Sequence, residues 1–142
     1  LIISLRKSVV EAQEIRPPFI SSYYDQFFPI AQLAIVHIAA ARNQCYEDDF
    51  LILLAIWKAE NGQEGFEFGV KKVKNTNLDT QAGWAAATVV KNRVRWKKAG
   101  CPGKYIEFLG NRYCPLDDKD DVYDVNHNWI RNVTYWFNKF NK

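Results

Sequence analysis

Residues 48–62 read Asp48-Asp49-Phe50-Leu51-Ile52-Leu53-Leu54-Ala55-Ile56-Trp57-Lys58-Ala59-Glu60-Asn61-Gly62. Two acidic residues able to cap free amides stand before the apolar run, and an Asn-Gly pair able to end a helix stands after it. A helix this apolar is unsuited to a surface, so it is expected to cross the core, from Asp48 or Asp49 to the Asn61-Gly62 stop. Its last turn carries Glu60, where the helix dipole presents partial negative charge. Trp57 and Ile56 beside it would strip water from the carboxyl group, and both effects raise its pKa. A Glu in such a place is either a frayed, solvent-facing helix end or an acid kept protonated for chemistry. Glycosidic bond cleavage needs an acid of the second kind, because the leaving oxygen must receive a proton as the sugar ring becomes cationic.

Working outward, the pattern predicts helices almost throughout and no sustained strand alternation. A helix is expected from Ser4 to about Glu14, ended by Arg16-Pro17-Pro18, because consecutive prolines remove donors and force extended backbone. Residues 1–18 then form a helix and elbow, and residues 19–142 a single helical domain. Pro29 suits the first turn of a helix to about Arg42, with Ile30, Leu33, Ala34, Ile38 and Ala41 on one face and His37 as a core neighbour. Residues 61–78 contain three glycines and no helical period, so an irregular or short β-hairpin segment is expected near 63–76. Asp79 is expected to cap a helix to about Lys98, with Ala82, Ala85, Ala86, Val89, Val90 and Val94 inward and Lys91, Arg93, Arg95 and Lys97 outward. A short helix from Tyr105 to Leu109 and an acidic loop at 117–121 lead to a last helix capped by Asn126. On it Trp129, Val133, Trp136, Phe137 and Phe140 recur at helical spacing as a core stripe.

Composition narrows the class. The chain has 142 residues, 48% hydrophobic and 25% charged, as expected for one globular domain. A net charge of +3 is too small for a dedicated nucleic-acid binder, so no nucleic-acid partner is expected. No apolar run approaches the roughly 20 residues of a membrane span, and the domain is expected not to be integral to a membrane. Cys45, Cys101 and Cys114 match no zinc spacing, and neither a metal nor another cofactor is expected. Cys101 and Cys114 are close enough in sequence to bridge a loop. The chain starts at Leu1 and has no Met, which reads as a processed or trimmed product. Aromatic residues make up 15% of the chain, more than a small core needs, and rings can line a sugar-binding groove as well as fill a core.

The run Trp57-Lys58-Ala59-Glu60-Asn61-Gly62, a Gly-containing turn and a following helix resemble the lysozyme superfamily. Glu67-Phe68-Gly69-Val70 is similar to the acid-aromatic-Gly-aliphatic segment on the hairpin of animal lysozymes. Phe108-Leu109-Gly110-Asn111-Arg112-Tyr113-Cys114-Pro115 and the later Asn126-x-x-Trp129-x-x-Asn132-Val133 pattern resemble small phage-type or bacterial lysozyme-like domains. The likeness covers roughly Ile52 to Trp136. It departs from bacterial lytic transglycosylases, which follow their Glu with Gly-Leu-Met-Gln and later Ala-Tyr-Asn-Ala-Gly. It also leaves only six residues between Glu60 and Glu67.

The resemblance implies a mostly α, lysozyme-like domain that cleaves the β-1,4 bond between N-acetylmuramic acid and N-acetylglucosamine in peptidoglycan glycan strands. Glu60 is then the general acid and Glu67 the candidate second carboxylate. Phe68, Gly69, Asn77, Gln81 and Tyr113 are the candidate substrate-binding residues: rings to meet sugar, Gly69 for close approach, Asn77 and Gln81 for N-acetyl groups, and Tyr113 to support Glu60 or substrate. If Glu67 faces the sugar, two carboxylates can hydrolyse the bond; if not, Glu60 alone can serve a transglycosylase reaction. The cell envelope or periplasm, secretion or a phage particle is the implied location, with the N-terminal segment able to join a larger assembly. A catalytically inactive glycan-binding or structural domain, or an all-helical protein-interaction domain, are the alternative readings.

Overall fold

The computed structural model describes residues 23–73, 75–113 and 125–141. The expected N-terminal helix, the Pro17-Pro18 elbow, the acidic loop and Cys114 lie outside the described residues. Among the described residues five α-helices account for most of the chain: α1 (Ile30–Arg42), α2 (Glu47–Glu60), α3 (Leu78–Lys98), α4 (Tyr105–Tyr113) and α5 (Val125–Phe140). Two short 3-10 turns, Tyr24–Gln26 and Lys71–Val73, complete the regular structure, and no strand occurs among the described residues. The segment after α2 is therefore the irregular alternative, closed by turns and the second 3-10 turn.

Helix α2 is the axis of the fold. Every residue from Asp49 to Trp57 is buried, because α5, α3 and α1 all pack against it, α5 most extensively. Asn61 ends the helix in the left-handed conformation, φ 47° and ψ 41°, and its N–H donates to the Trp57 carbonyl. The start differs from expectation: the helix begins at Glu47 with Tyr46 at the cap position. Asp49 is turned inward to accept two hydrogen bonds from Arg93, at 3.0 and 2.8 Å. Arg93 accordingly leaves the outward basic face and lies over the Tyr105 ring, 3.8 Å from its centroid.

Five other expectations are corrected by the structure. The buried face of α1 is Leu33, Val36, His37, Ala39 and Ala40, whereas Ile30 and Ile38 are exposed, because small alanines let α1 seat closely on α3. Asn77, not Asp79, caps α3: its side chain accepts from the Thr80 N–H at 2.8 Å. Toward the end of α3 Val90 is half-buried and Val94 exposed. Helix α4 runs one turn further than expected, to Tyr113. Asn126 does not cap α5; it is buried, and its amide donates to the Gly110 carbonyl of α4 at 3.2 Å. The two helices approach closely there, since a Cβ on Gly110 would stand 2.6 Å from the Ile130 side chain.

The aromatic excess is mostly spent on packing. Tyr24 and Phe27 meet Phe140 of α5 edge-on, Phe27 also meets Trp136, and Tyr23 packs edge-on against Tyr24 and Phe27. Trp57 is sandwiched between Phe28, 4.2 Å away, and Phe68, 5.8 Å away. That stack pins the irregular segment onto the C-terminal end of α2, which is where Glu60 emerges.

Candidate functional site

Glu60 is held from three sides. From α5, the Trp129 indole Nε1–H donates to its Oε2 at 3.2 Å. From the irregular segment, Gly69 lies so close that a Cβ there would fall 2.6 to 2.9 Å from the carboxyl atoms of Glu60. Gly69 also has φ 68°, a conformation that disfavours any side chain, so both its backbone and its surroundings require glycine. The third side is the apolar end of α2 itself. Burial pushes the Glu60 carboxyl above its ordinary pKa, while the indole hydrogen bond and the Lys71 ammonium pull it partly back. The result is an acid that keeps its proton to higher pH than a surface Glu.

The loop touching Glu60 is positioned by two of the sequence-predicted residues. Gln81 on α3 is fully buried, and its carbonyl oxygen accepts from the N–H groups of Phe68 at 3.1 Å and Val70 at 3.2 Å. Its amide nitrogen donates to the carbonyls of Val70 at 3.0 Å and Val73 at 3.2 Å. Every hydrogen-bonding position of this side chain is thus taken by the loop backbone, which satisfies polar groups that helix or sheet would otherwise satisfy. Tyr113 on α4 donates its hydroxyl proton to the Phe68 carbonyl at 2.7 Å and stacks on Trp129, with 5.1 Å between ring centroids. Burial, and then the Glu60 charge, push the Tyr113 phenol well above its ordinary pKa, so it remains a donor.

These contacts close a ring: Glu60 to Trp129, Trp129 to Tyr113, Tyr113 to the Phe68 carbonyl, and the next residue, Gly69, back to Glu60. Gln81 and Tyr113 shape the site through the loop, and Phe68 is fully buried against Trp57. Phe66 is half-buried.

Gly69 and Tyr113 also line an open groove of about 350 Å³, together with Val70, Lys71, Lys72, Trp84, Thr88 and Arg112. Glu67 and Asn77 are placed elsewhere. They line a second cavity of about 480 Å³ with Trp57, Lys58, Asn61 and Glu64, and the two cavities share no lining residue. One Glu67 carboxylate oxygen is buried without a hydrogen-bond partner among the described residues. The sequence reading missed Trp129, which it assigned to the core stripe of α5. A buried indole N–H needs an acceptor, and that need is the only signal a sequence could offer for it.

Among the described residues no cluster of three or more His, Cys, Asp or Glu side chains has the proximity to hold a metal ion. Cys101 is an exposed free thiol and Cys45 a buried one. No helix of the described residues is long and apolar enough to cross a membrane. Compared with known proteins, the chain matches no family model, no curated protein and no solved structure.

Proposed function

We propose that the protein is a lysozyme-like glycosidase that cleaves the β-1,4 bond between N-acetylmuramic acid and N-acetylglucosamine in peptidoglycan. One observation carries this reading. A desolvated carboxyl group ends a core helix, held by an indole N–H and bordered by a glycine that opens onto a groove. Burial raises the pKa of Glu60, the direction that suits a general acid.

The placement of Glu67 in a cavity that Gly69 and Tyr113 do not line supports the single-carboxylate route. Glu60 gives its proton to the glycosidic oxygen as the bond to the anomeric carbon breaks, and the substrate's own groups stabilise the cationic carbon. The Glu60 carboxylate then takes a proton from a hydroxyl of the same sugar, whose oxygen closes an anhydro ring without water. The proton returns to Glu60, so the cycle balances with no cofactor. The cell envelope is the place of action, reached from the periplasm, by secretion or from a phage particle.

The test is loss of turbidity of purified cell walls, with Glu60→Gln expected to lower the rate about 10²- to 10⁴-fold. Unchanged activity in that variant would remove Glu60 from the mechanism. Mass spectrometry of the digest separates the routes: anhydro ends are expected, and reducing ends would bring Glu67 back as the second carboxylate.

A further inference from the structure

The groove beside Glu60 is unevenly charged. Lys71 and Lys72 from the irregular segment and Arg112 from α4 stand on its rim, all exposed, and no ion pair among the described residues engages any of them. Three cations around one concavity, none ion-paired among the described residues, repel each other and are satisfied by an anion entering it. In the same lining Trp84 of α3 is 46% exposed, an unusual placement for the largest apolar side chain in a fold that buries or half-buries most of its other rings. Its position has a local cause. Gln81, Trp84 and Thr88 follow at helical spacing on α3, so the stripe that clamps the loop continues outward as the groove wall. An indole face suits the apolar face of a sugar ring, and a guanidinium suits a carboxylate with two parallel hydrogen bonds.

Resting on the glycosidase reading, we infer that this groove is a subsite for a carboxylate-bearing sugar unit of the glycan, the ring lying on Trp84 and the carboxylate meeting Lys72 and Arg112. The carboxylate is that of the lactyl group of muramic acid or of the peptide joined to it. Lys71 stands nearest the reacting centre, where its charge already acts on Glu60. The subsite selects acidic, wall-type strands over neutral polymers of N-acetylglucosamine.

The test uses the full chain carrying Glu60→Gln, to prevent turnover, and measures dissociation constants by calorimetry at several salt concentrations. Three probes are compared: soluble glycan strands with free carboxylates, the same strands with carboxyls converted to amides, and polyglutamate. Acidic strands are expected to bind more tightly than amidated ones and than polyglutamate. Lys72→Gln with Arg112→Gln should weaken acidic strands roughly tenfold, flatten the salt dependence and leave amidated strands unchanged. Trp84→Ala should weaken both kinds of strand about tenfold.

Equal binding of acidic and amidated strands would overturn the carboxylate subsite and leave the glycosidase reading standing. Polyglutamate bound as tightly as the strands would overturn it in favour of a general polyanion surface. Absence of binding to either strand, together with no cleavage by the native protein, would overturn both readings. Free carboxyls on neutral chitin oligosaccharides offer an independent arm: oxidised to carry carboxylates, they should gain affinity, and no gain overturns the subsite.

Discussion

At Glu60 three unrelated parts of the chain act on one carboxyl group, and their effects have different signs. Burial raises its pKa; the Trp129 indole and Lys71 lower it. Trp129→Phe keeps the packing but removes the hydrogen bond that favours the ionised form. The pKa of Glu60 should then rise further, moving the alkaline limb of the kcat/KM profile to higher pH, with a rate loss on the order of tenfold. A lower rate with an unmoved limb would leave Trp129 a purely structural role. Stability carries the same sign. A carboxyl whose folded pKa lies above its unfolded value contributes most when protonated, and that contribution fades as pH rises through the folded pKa. Glu60→Gln should therefore match the native protein in Tm at about pH 3, exceed it as pH rises from the unfolded to the folded pKa of Glu60, and keep a constant advantage above that. A difference in thermal melts that is already constant from about pH 3 upward would contradict the buried-acid description.

At the scale of elements, the irregular segment stays in place because α3 and α4 supply the hydrogen bonds it cannot make internally. Gln81 holds four backbone groups between Phe68 and Val73, and Tyr113 holds the Phe68 carbonyl. Gln81→Leu fits the same volume and leaves those groups without partners, the Phe68 N–H among them in a fully buried residue. It should cost about 2–4 kcal/mol in urea unfolding. Cell-wall cleavage should fall with it, since Gly69 would no longer be held against Glu60. Native stability in this variant would mean that the Phe28–Trp57–Phe68 stack alone positions the loop.

The whole molecule is built around a helix enclosed on all sides, with polar groups at both of its ends. At the start, Asp49 is paired with Arg93, whose guanidinium lies on the Tyr105 ring while the Tyr105 hydroxyl donates to the Val89 carbonyl. At the finish, the Glu60 carboxyl accepts from the Trp129 indole of α5. Ten residues lie between the two, roughly 16 Å along the axis. Asp49→Ala leaves a largely buried guanidinium unpaired and should destabilise by about 3–5 kcal/mol, with kcat of the folded fraction unchanged. A change in kcat measured well below the melting transition would show that the two ends of α2 communicate.

Local chemistry carried much of this in the sequence. The apolar run at 50–57 placed a buried helix, Asn61-Gly62 ended it, and Glu60 followed as a desolvated carboxyl. The periodicity of Trp129, Val133 and Phe140 placed α5 on the core. Those features depend on neighbours within one or two turns, which a sequence displays. The remainder depends on partners far apart in the chain. Asp49 and Arg93 each looked suited to a surface or a cap until they met 44 residues apart, and Asn126 looked like a cap until α4 came within reach. Gln81 and Tyr113 looked like ligands for sugar because a sequence cannot say which polar atoms the loop backbone will claim first. Whether two carboxyl groups face one cavity, and which face of α3 turns Trp84 outward, follow from helix packing angles and side-chain volumes. Those quantities exist only once the helices are assembled.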